Sequence, residues 1–267
     1  MISLNGVKIK SFNFPAGEEC VRFTLEQMQP REKYEFTWKY ESSAEFFTLQ
    51  QAVSLVRKSW QGRTTKPYIS LVIPYFPFAR QDRATVENET NALTLFCDTL
   101  KTLNADIVRC WDPHSMAVEQ HFAPDKFHAY TQLDAIESVT AYNDMTFDAV
   151  VAPDEGALKK AAIVAKSFGA WLYTASKVRD PETGNITGYK VNLNTSQPSS
   201  APAQNVLVTD DICDGGATFL ILGQKLKTSF PVANLHLFTT HGIYSKGKEE
   251  LLKIYQTVTC YNNMEKK

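Results

Sequence analysis

The sequence predicts an α/β fold of two successive units, each a mainly parallel sheet flanked by helices, and three observations predict it. Apolar runs of strand length alternate with amphipathic segments of helix length, the pattern of parallel sheets covered on both faces. The 267 residues suffice for two domains of ordinary size, each with its own core. Polar and charged residues cluster directly after the apolar runs, and open α/β sheets bind ligands outside the carboxyl ends of their strands.

The first 40 residues are less regular and are expected to contain antiparallel strands. A helix over 44–60 follows, then a strand over 68–73, a helix over 89–103 and a strand over 106–111. The junction falls near residues 130–134, giving units 1–132 and 133–267. The second unit is expected to run as a helix over 132–141, a strand over 149–152 and a helix over 155–167. Strands over 171–175 and 205–209, a helix over 218–227 and a strand over 234–239 complete it. No low-complexity block and no short repeat interrupts this alternation.

Composition excludes several classes. Hydrophobic content of 43% with 21% charged residues describes a soluble globular chain, and a net charge of −1 gives no reason to expect nucleic acid as a partner. The 5 cysteines are scattered without a C-x-x-C pair, which fits reduced thiols in the cytoplasm better than disulfides or a zinc site. No apolar run approaches the ~20 residues that span a bilayer, so no membrane partner is expected.

The strongest chemical signal is NVLVTDDICDGGAT, residues 205–218. An apolar, β-branched strand runs into Asp210 and Asp211, and Asp214, Gly215, Gly216, Ala217 and Thr218 then lead into a helix. A Gly-rich strand-to-helix turn converges backbone N–H groups on an anion, and the helix N-terminus adds its positive dipole end. Carboxylates repel a bare phosphate but accept hydrogen bonds from vicinal hydroxyls, so the pair and the turn together suit a phosphorylated ribose. Gly-rich turns are common and Asp is a routine turn and cap residue, so a structural turn stays open on this stretch alone.

Other strand ends carry polar groups too. The strand over 68–73 runs into PYFPFARQDR, ending in Arg80, Gln81, Asp82 and Arg83. Arg forks onto phosphate oxygens and stacks on bases, although a solvated charged loop is the default for such a run. The strand over 106–111 ends in Asp112, Pro113 and His114, and that over 149–152 in Pro153, Asp154, Glu155 and Gly156. His114 and Asp154 could face one crevice around a hard cation of the Mg²⁺ kind, although histidine is not a preferred ligand for it. SKVRDPETGNITGYK, after the strand over 171–175, carries Lys177, Arg179 and Lys190 and reads either as a lid or as a plain surface loop.

Taken in order, these segments resemble the ribose-phosphate diphosphokinases (phosphoribosyl pyrophosphate synthetases) over about residues 14–242. PYFPFARQDR is similar to the family's P-Y-F-G-Y-A-R-Q-D-R, and WDPHSMAVEQHF to D-L-H-A-x-Q-I-Q-G-F-F. VVAPDEGALKKA is similar to V-V-S-P-D-x-G-G, and SKVRDP stands where the family has D-K-R-R-P. VLVTDDICDGGATFL is similar to the ribose-phosphate loop V-D-D-x-I-D-T-G/A-G-T, TTHGIYSKG to A-T-H-G-x-x-S-G, and FPAGE to part of F-S-D-G-E. The R-Q-D-R element is specific, whereas D-D-x-x-D is shared with phosphoribosyltransferases.

The resemblance implies two phosphoribosyltransferase-like domains with the active site between them. It implies transfer of the diphosphoryl group of ATP to the anomeric hydroxyl of ribose 5-phosphate, with Mg²⁺ as cofactor. Carried over by position, Arg80, Gln81, Asp82 and Arg83 hold ATP, with Phe14 and Glu18 near the adenine of a neighbouring subunit's nucleotide. His114 and Asp154 serve the Mg²⁺–ATP site. Asp210 and Asp211 bind the ribose hydroxyls, directly or through a cation, and Asp214 to Thr218 hold the 5-phosphate. Lys177, Arg179 and His114 are the catalytic candidates. The family also implies a homo-oligomer, dimer-based and up to a hexamer.

Departures mark a compact, divergent member. Ala16 stands where the family has Asp, and Pro113 where it has Leu. Ala217 occupies a usual glycine and is expected to tighten or distort the phosphate turn. The basic K-D-R-G-R-E becomes ATVENE over 84–89. The family's last strand and C-terminal helix are expected to fall beyond residue 267. A phosphoribosyltransferase and a non-catalytic regulatory subunit are the competing readings; the first needs no ATP-reading Arg80–Arg83, and retained His114, Asp154, Lys177 and Arg179 count against the second.

Overall fold

The computed structural model describes residues 1–84, 86–139, 142, 145–179, 186–192, 203–231 and 233–266, and only the backbone of 177–179, 186–189 and 191. The chain divides into two compact units, Met1–Tyr130 and Thr131–Lys267. Each is α/β and carries one mainly parallel six-stranded sheet. Among the described residues no helix is long and apolar enough to cross a membrane.

The first unit opens with the antiparallel strands that the irregular N-terminal segment predicts: β1 (Ile2–Leu4), β2 (Val7–Lys8) and the hairpin β3 (Lys10–Asn13)–β4 (Glu19–Arg22). Strand β5 (Lys33–Trp38), which also falls within that irregular segment, alternates exposed and buried residues and pairs antiparallel with β1. Beyond it β6 (Tyr68–Ile73), β7 (Ile107–Trp111) and β8 (Phe127–Tyr130) add in parallel, in the order β2-β1-β5-β6-β7-β8. Because the chain advances in one direction from β5 to β7, right-handed crossovers put helices α1 (Glu45–Ser59) and α2 (Ala92–Lys101) on one face. There Leu49, Val53, Val56, Leu93, Phe96 and Leu100 bury against Tyr34, Phe36, Trp38, Leu71, Ile73 and Val108. Two-sided cover by helices, as the alternation suggested, therefore does not hold for these two crossovers. Helix α2 begins three residues later than its pattern predicts, because Asn91 caps it by accepting from the Thr94 N–H at 3.0 Å.

The second sheet runs β11-β10-β9-β12-β13-β14, all parallel except edge strand β11. Its members are β9 (Ala149–Ala152), β10 (Trp171–Arg179), β11 (Ile186–Asn192), β12 (Asn205–Cys213), β13 (Asn234–Gly242) and β14 (Thr257–Asn263). Helix α3 (Gln132–Glu137) starts in a Thr131–Asp134 capping box, α4 (Leu158–Phe168) ends on αL Gly169, and α5 (Ala217–Ser229) and the short α6 (Glu249–Leu252) follow. Central strands β9 and β12 are neighbours, with Val206 opposite Ala149 and Val208 opposite Val151. From β9 the chain winds outward through α4 to β10, and from β12 the other way through α5 to β13 and β14. The carboxyl ends of β9 and β12 thus flank a topological switch point, the place where open α/β sheets bind ligands.

Candidate active site

In the first unit, the polar end of β6 is fixed by aromatic packing. Phe76, fully buried, and Phe78, at φ +63°, set their rings 5.5 and 5.2 Å from Phe96 on α2. This anchor leaves Arg80, Gln81 and Arg83 exposed at the carboxyl end of the sheet. Asp82 is held differently. Its Oδ2 accepts from the Ser115 hydroxyl at 2.7 Å, its backbone carbonyl from Asn91 Nδ2 at 2.9 Å, and its Oδ1 lies 3.6 Å from Arg83 Nε. Ser115 also caps the 3₁₀ turn Met116–His121, accepting from the Ala117 N–H at 3.2 Å. The Trp111 N–H donates to the Pro74 carbonyl, and buried Asp112, at φ +40°, donates its N–H to Tyr130. The Arg80–Arg83 and His114 segments are thereby brought to one end of one sheet, with His114 exposed between Pro113 and Ser115. Ser115 stands where the family pattern has Ala, so motif comparison passed it over.

Phe14 and Glu18 sit elsewhere in this unit, on the β3–β4 hairpin. Its tip is closed by hydrogen bonds from Phe14 N–H to Glu18 O and from Gly17 N–H to Phe14 O, both 2.8 Å, and by φ +91° at Gly17. Phe14, Ala16 and Glu18 are all exposed there.

In the second unit the switch point gathers three carboxylates. Asp154 follows β9 directly; its Oδ1 accepts the Ala157 N–H at 3.2 Å, and a Cβ on Gly156 would stand 3.3 Å from that oxygen. Asp210 and Asp211 lie inside β12, which extends to Cys213 instead of stopping at Thr209. Successive strand residues point to opposite faces, so the pair divides: Asp211 is buried, and its N–H donates to Asp210 Oδ1 at 2.9 Å. Burial first, then the Asp211 carboxylate and, farther off, Asp154 push the Asp210 carboxyl well above the usual carboxylate range. The turn proper is Asp214, Gly215 and Gly216, with Gly216 in the left-handed region at φ +76° as N-cap of α5. Ala217 is the first helical residue, where alanine is the best helix former, so it does not distort the turn. Thr218 follows in the first turn of α5.

The loop after β13 closes over this turn. Ile243 and Tyr244 N–H groups donate to the Cys213 carbonyl at 2.8 and 3.2 Å, and Ser245 bonds Asp214 twice, N–H to carbonyl at 3.2 Å and hydroxyl to Oδ1 at 2.7 Å. Gly242 permits this: a Cβ there would stand 2.1 Å from the buried Tyr244 ring. Reading polar groups at strand ends would have found Ser245 and Lys246 had it been applied to β13, which runs to Gly242 instead of residue 239.

The backbone of Lys177 and Arg179 belongs to β10, opposite Tyr189 and Ile186 of β11, where the sequence suggested a loop from residue 176 onward. The side chains of both residues, and residues 180–185, lie outside the described residues. Among the described residues no group of three or more His, Cys, Asp or Glu forms a metal cluster.

No protein-family model matches the chain. A ribose-phosphate pyrophosphokinase of Pyrococcus furiosus is 26% identical over 250 residues, covering 93% of this chain and 82% of the relative. One from Streptomyces coelicolor is 24% identical over 258 residues, 92% and 73%. One from Ureaplasma parvum is 26% identical over 201 residues, and the match spans 70% of the chain and only 55% of that relative. Two further relatives of that name are covered to 50% and 52%, so the chain spans about half the length of several curated relatives that it matches. Among solved structures, a phosphoribosylpyrophosphate synthetase from Mycobacterium smegmatis superposes with a TM-score of 0.71 at 21% identity, over 95% of this chain and 79% of that one. In sequence the chain is similar to ribose-phosphate pyrophosphokinases, at 26% identity over most of its length, and it has the fold of a phosphoribosylpyrophosphate synthetase.

Proposed function

We propose that the protein transfers the diphosphoryl group of ATP to the anomeric hydroxyl of ribose 5-phosphate, giving 5-phosphoribosyl 1-diphosphate and AMP. The observation that carries this reading is the carboxylate pair of β12 set directly before a strand-to-helix turn with an αL glycine. A sugar phosphate answers both parts: its hydroxyls donate to Asp210 and Asp211, relieving the carboxyl that burial and its neighbours disfavour, while its phosphate meets the turn at Asp214–Thr218. The Arg80–Arg83 strand end adds the nucleotide half, which a phosphoribosyltransferase does not need. The sequence likeness to ribose-phosphate pyrophosphokinases supports the same reading.

In this reading the first unit is the ATP domain, and the second carries the ribose 5-phosphate turn and the catalytic cations. Arg80, Gln81 and Arg83 bind ATP, with Asp82 fixing their segment through Ser115. The anomeric oxygen attacks the β-phosphorus, the bond from that phosphorus to the α–β bridging oxygen breaks, AMP departs, and the hydroxyl proton is lost to water. Lys177 and Arg179 stabilise the charge that spreads over the phosphoryl oxygens, so catalysis is positioning and electrostatics without a protein nucleophile. The acidic crowding at Asp154 fits a cation carried in with phosphates, since Mg²⁺ takes one or two protein carboxylates and keeps its other positions for substrate and water. Asp154 would hold it in the second unit, His114 is the first unit's candidate for the same ion by sequence likeness alone, and bound Mg²⁺ would supply neutralisation of the phosphate oxygens. The exposed tip Phe14–Glu18 suits a contact with a neighbouring subunit's nucleotide in a homo-oligomer.

A second reading, a nucleotide-binding regulatory subunit, is favoured by Ala16 and by the acidic, cation-free stretch over 84–89. Calorimetry on Asp210→Asn and Asp211→Asn tests the site. Each loses a charge-assisted hydrogen bond, on the order of 1.5–3 kcal/mol, so ribose 5-phosphate affinity should fall about tenfold or more while ATP affinity holds. An equal loss for ATP would reassign the pair to the nucleotide.

A further inference from the structure

From the packing of the loop after β13 we infer that Lys246 is a phosphate ligand of the ribose 5-phosphate site, an inference that rests on the proposed function. The turn Asp214–Gly216 has an electrostatic problem of its own making. Three carboxylates, Asp210, Asp211 and Asp214, precede or belong to it, and no basic residue occurs between Asn205 and Gln224. A phosphate dianion entering there meets helix N–H groups but also a strongly acidic approach.

Lys246 is placed to correct this. Its Cδ and Cε lie 3.5 and 3.6 Å from where a side-chain carbon on Gly215 would stand, so the aliphatic stem lies along the glycine and the ammonium follows one bond beyond. A side chain at position 215 would compete for that space, a role for Gly215 separate from backbone freedom. The position is enforced by the neighbouring residue: Ser245 is pinned to Asp214 by two hydrogen bonds, and Tyr244 is buried beneath, tied to the Cys213 carbonyl. The Ser245 hydroxyl also occupies Asp214 Oδ1, drawing that carboxylate toward the loop. Lys246 makes no ion pair among the described residues and is exposed, so its charge is available at the rim of the turn. The pattern that TTHGIYSKG resembles has glycine where Lys246 stands, so the lysine is this chain's own addition to the site.

The test compares the whole protein with Lys246→Met, which keeps the apolar stem on Gly215, and with Lys246→Arg, which keeps the charge. Calorimetry measures ribose 5-phosphate, and phosphorus NMR measures displacement of it by inorganic phosphate. Lys246→Met should bind ribose 5-phosphate about tenfold more weakly and lose most of the salt sensitivity of that binding. Its ATP affinity and thermal midpoint should be unchanged, and Lys246→Arg should recover most of the loss. Unchanged affinity in Lys246→Met, with the wild-type protein binding normally, overturns the assignment of Lys246 alone. Failure of the wild-type protein to bind ribose 5-phosphate at all overturns the site, and Lys246 with it.

Discussion

Buried ionisable side chains in the second unit show what single residues contribute. The fold holds Asp210 where its charged form is disfavoured, by burial and by the Asp211 carboxylate beside it. A carboxyl whose folded pKa is raised lends stability below its unfolded value, near 3.9, and that contribution is lost as pH rises through the folded value. At neutral pH the group therefore works against folding, and Asp210→Asn, which keeps an oxygen for the Asp211 N–H, should raise the thermal midpoint of the substrate-free protein while weakening the sugar site. The gain should vanish near pH 4; a variant less stable than wild type at pH 7 would contradict it. His236 behaves in the opposite sense. It is buried in β13 with Nδ1 3.0 Å from Thr257 Oγ1 and Nε2 without a hydrogen-bond partner, and burial, then the charge of Lys227, lower its pKa. The unfolded chain takes up a proton that the folded one refuses, so stability is full above about pH 6.5 and falls as pH drops through that value. Denaturant midpoints between pH 7.5 and 5.5 should fall less steeply in His236→Asn than in wild type, and parallel slopes would rule His236 out as the cause.

At the scale of elements, the strand ends decide what the sequence made legible. Strands β6 and β9 have the predicted bounds because turn residues follow each apolar run, Pro-Tyr in one and Pro-Asp in the other. Strands β10, β12 and β13 run three or four residues further than predicted, through Lys177, Asp210 and His241. A polar residue inside a strand is invisible to an apolar-run criterion when its neighbours' backbone ladder carries the pairing. Those extensions matter because they place candidate site residues on hydrogen-bonded strands instead of presumed loops. Strands β8, β11 and β14 were not read, and β5 only as part of the irregular first 40 residues: β5 alternates exposed and buried residues in place of a solid apolar run, β8 is a four-residue sheet edge, and β11 lies in a polar segment whose pairing with β10 is a tertiary matter. The candidate site residues come from chemistry at strand ends, whereas Ser115 and Ser245 show their hydrogen bonds to Asp82 and Asp214 only once folding brings those partners to them. Lys177 and Arg179, on the β10 strand, should act mainly in the transition state. Lys177→Ala and Arg179→Ala are each expected to cost about 10²–10³ in kcat with little change in KM. Steady-state kinetics with both substrates varied separates this from a binding clamp, in which KM rises and kcat holds.

At the scale of the molecule, one chain carries two mainly parallel sheets with different equipment at their carboxyl ends. The first offers arginines on an aromatic anchor, the second a switch point crowded with carboxylates before a Gly-rich strand-to-helix turn. Neither half by itself specifies diphosphoryl transfer; a nucleotide module and a phosphoribosyltransferase-like module each have simpler uses. Their coexistence is the central claim, and the fate of the ATP phosphates decides it. Phosphorus NMR of the protein incubated with Mg²⁺, ATP and ribose 5-phosphate should show AMP and a 1-diphosphorylated pentose accumulating in equal amounts. ADP as the main product, or ATP bound without turnover, would contradict it.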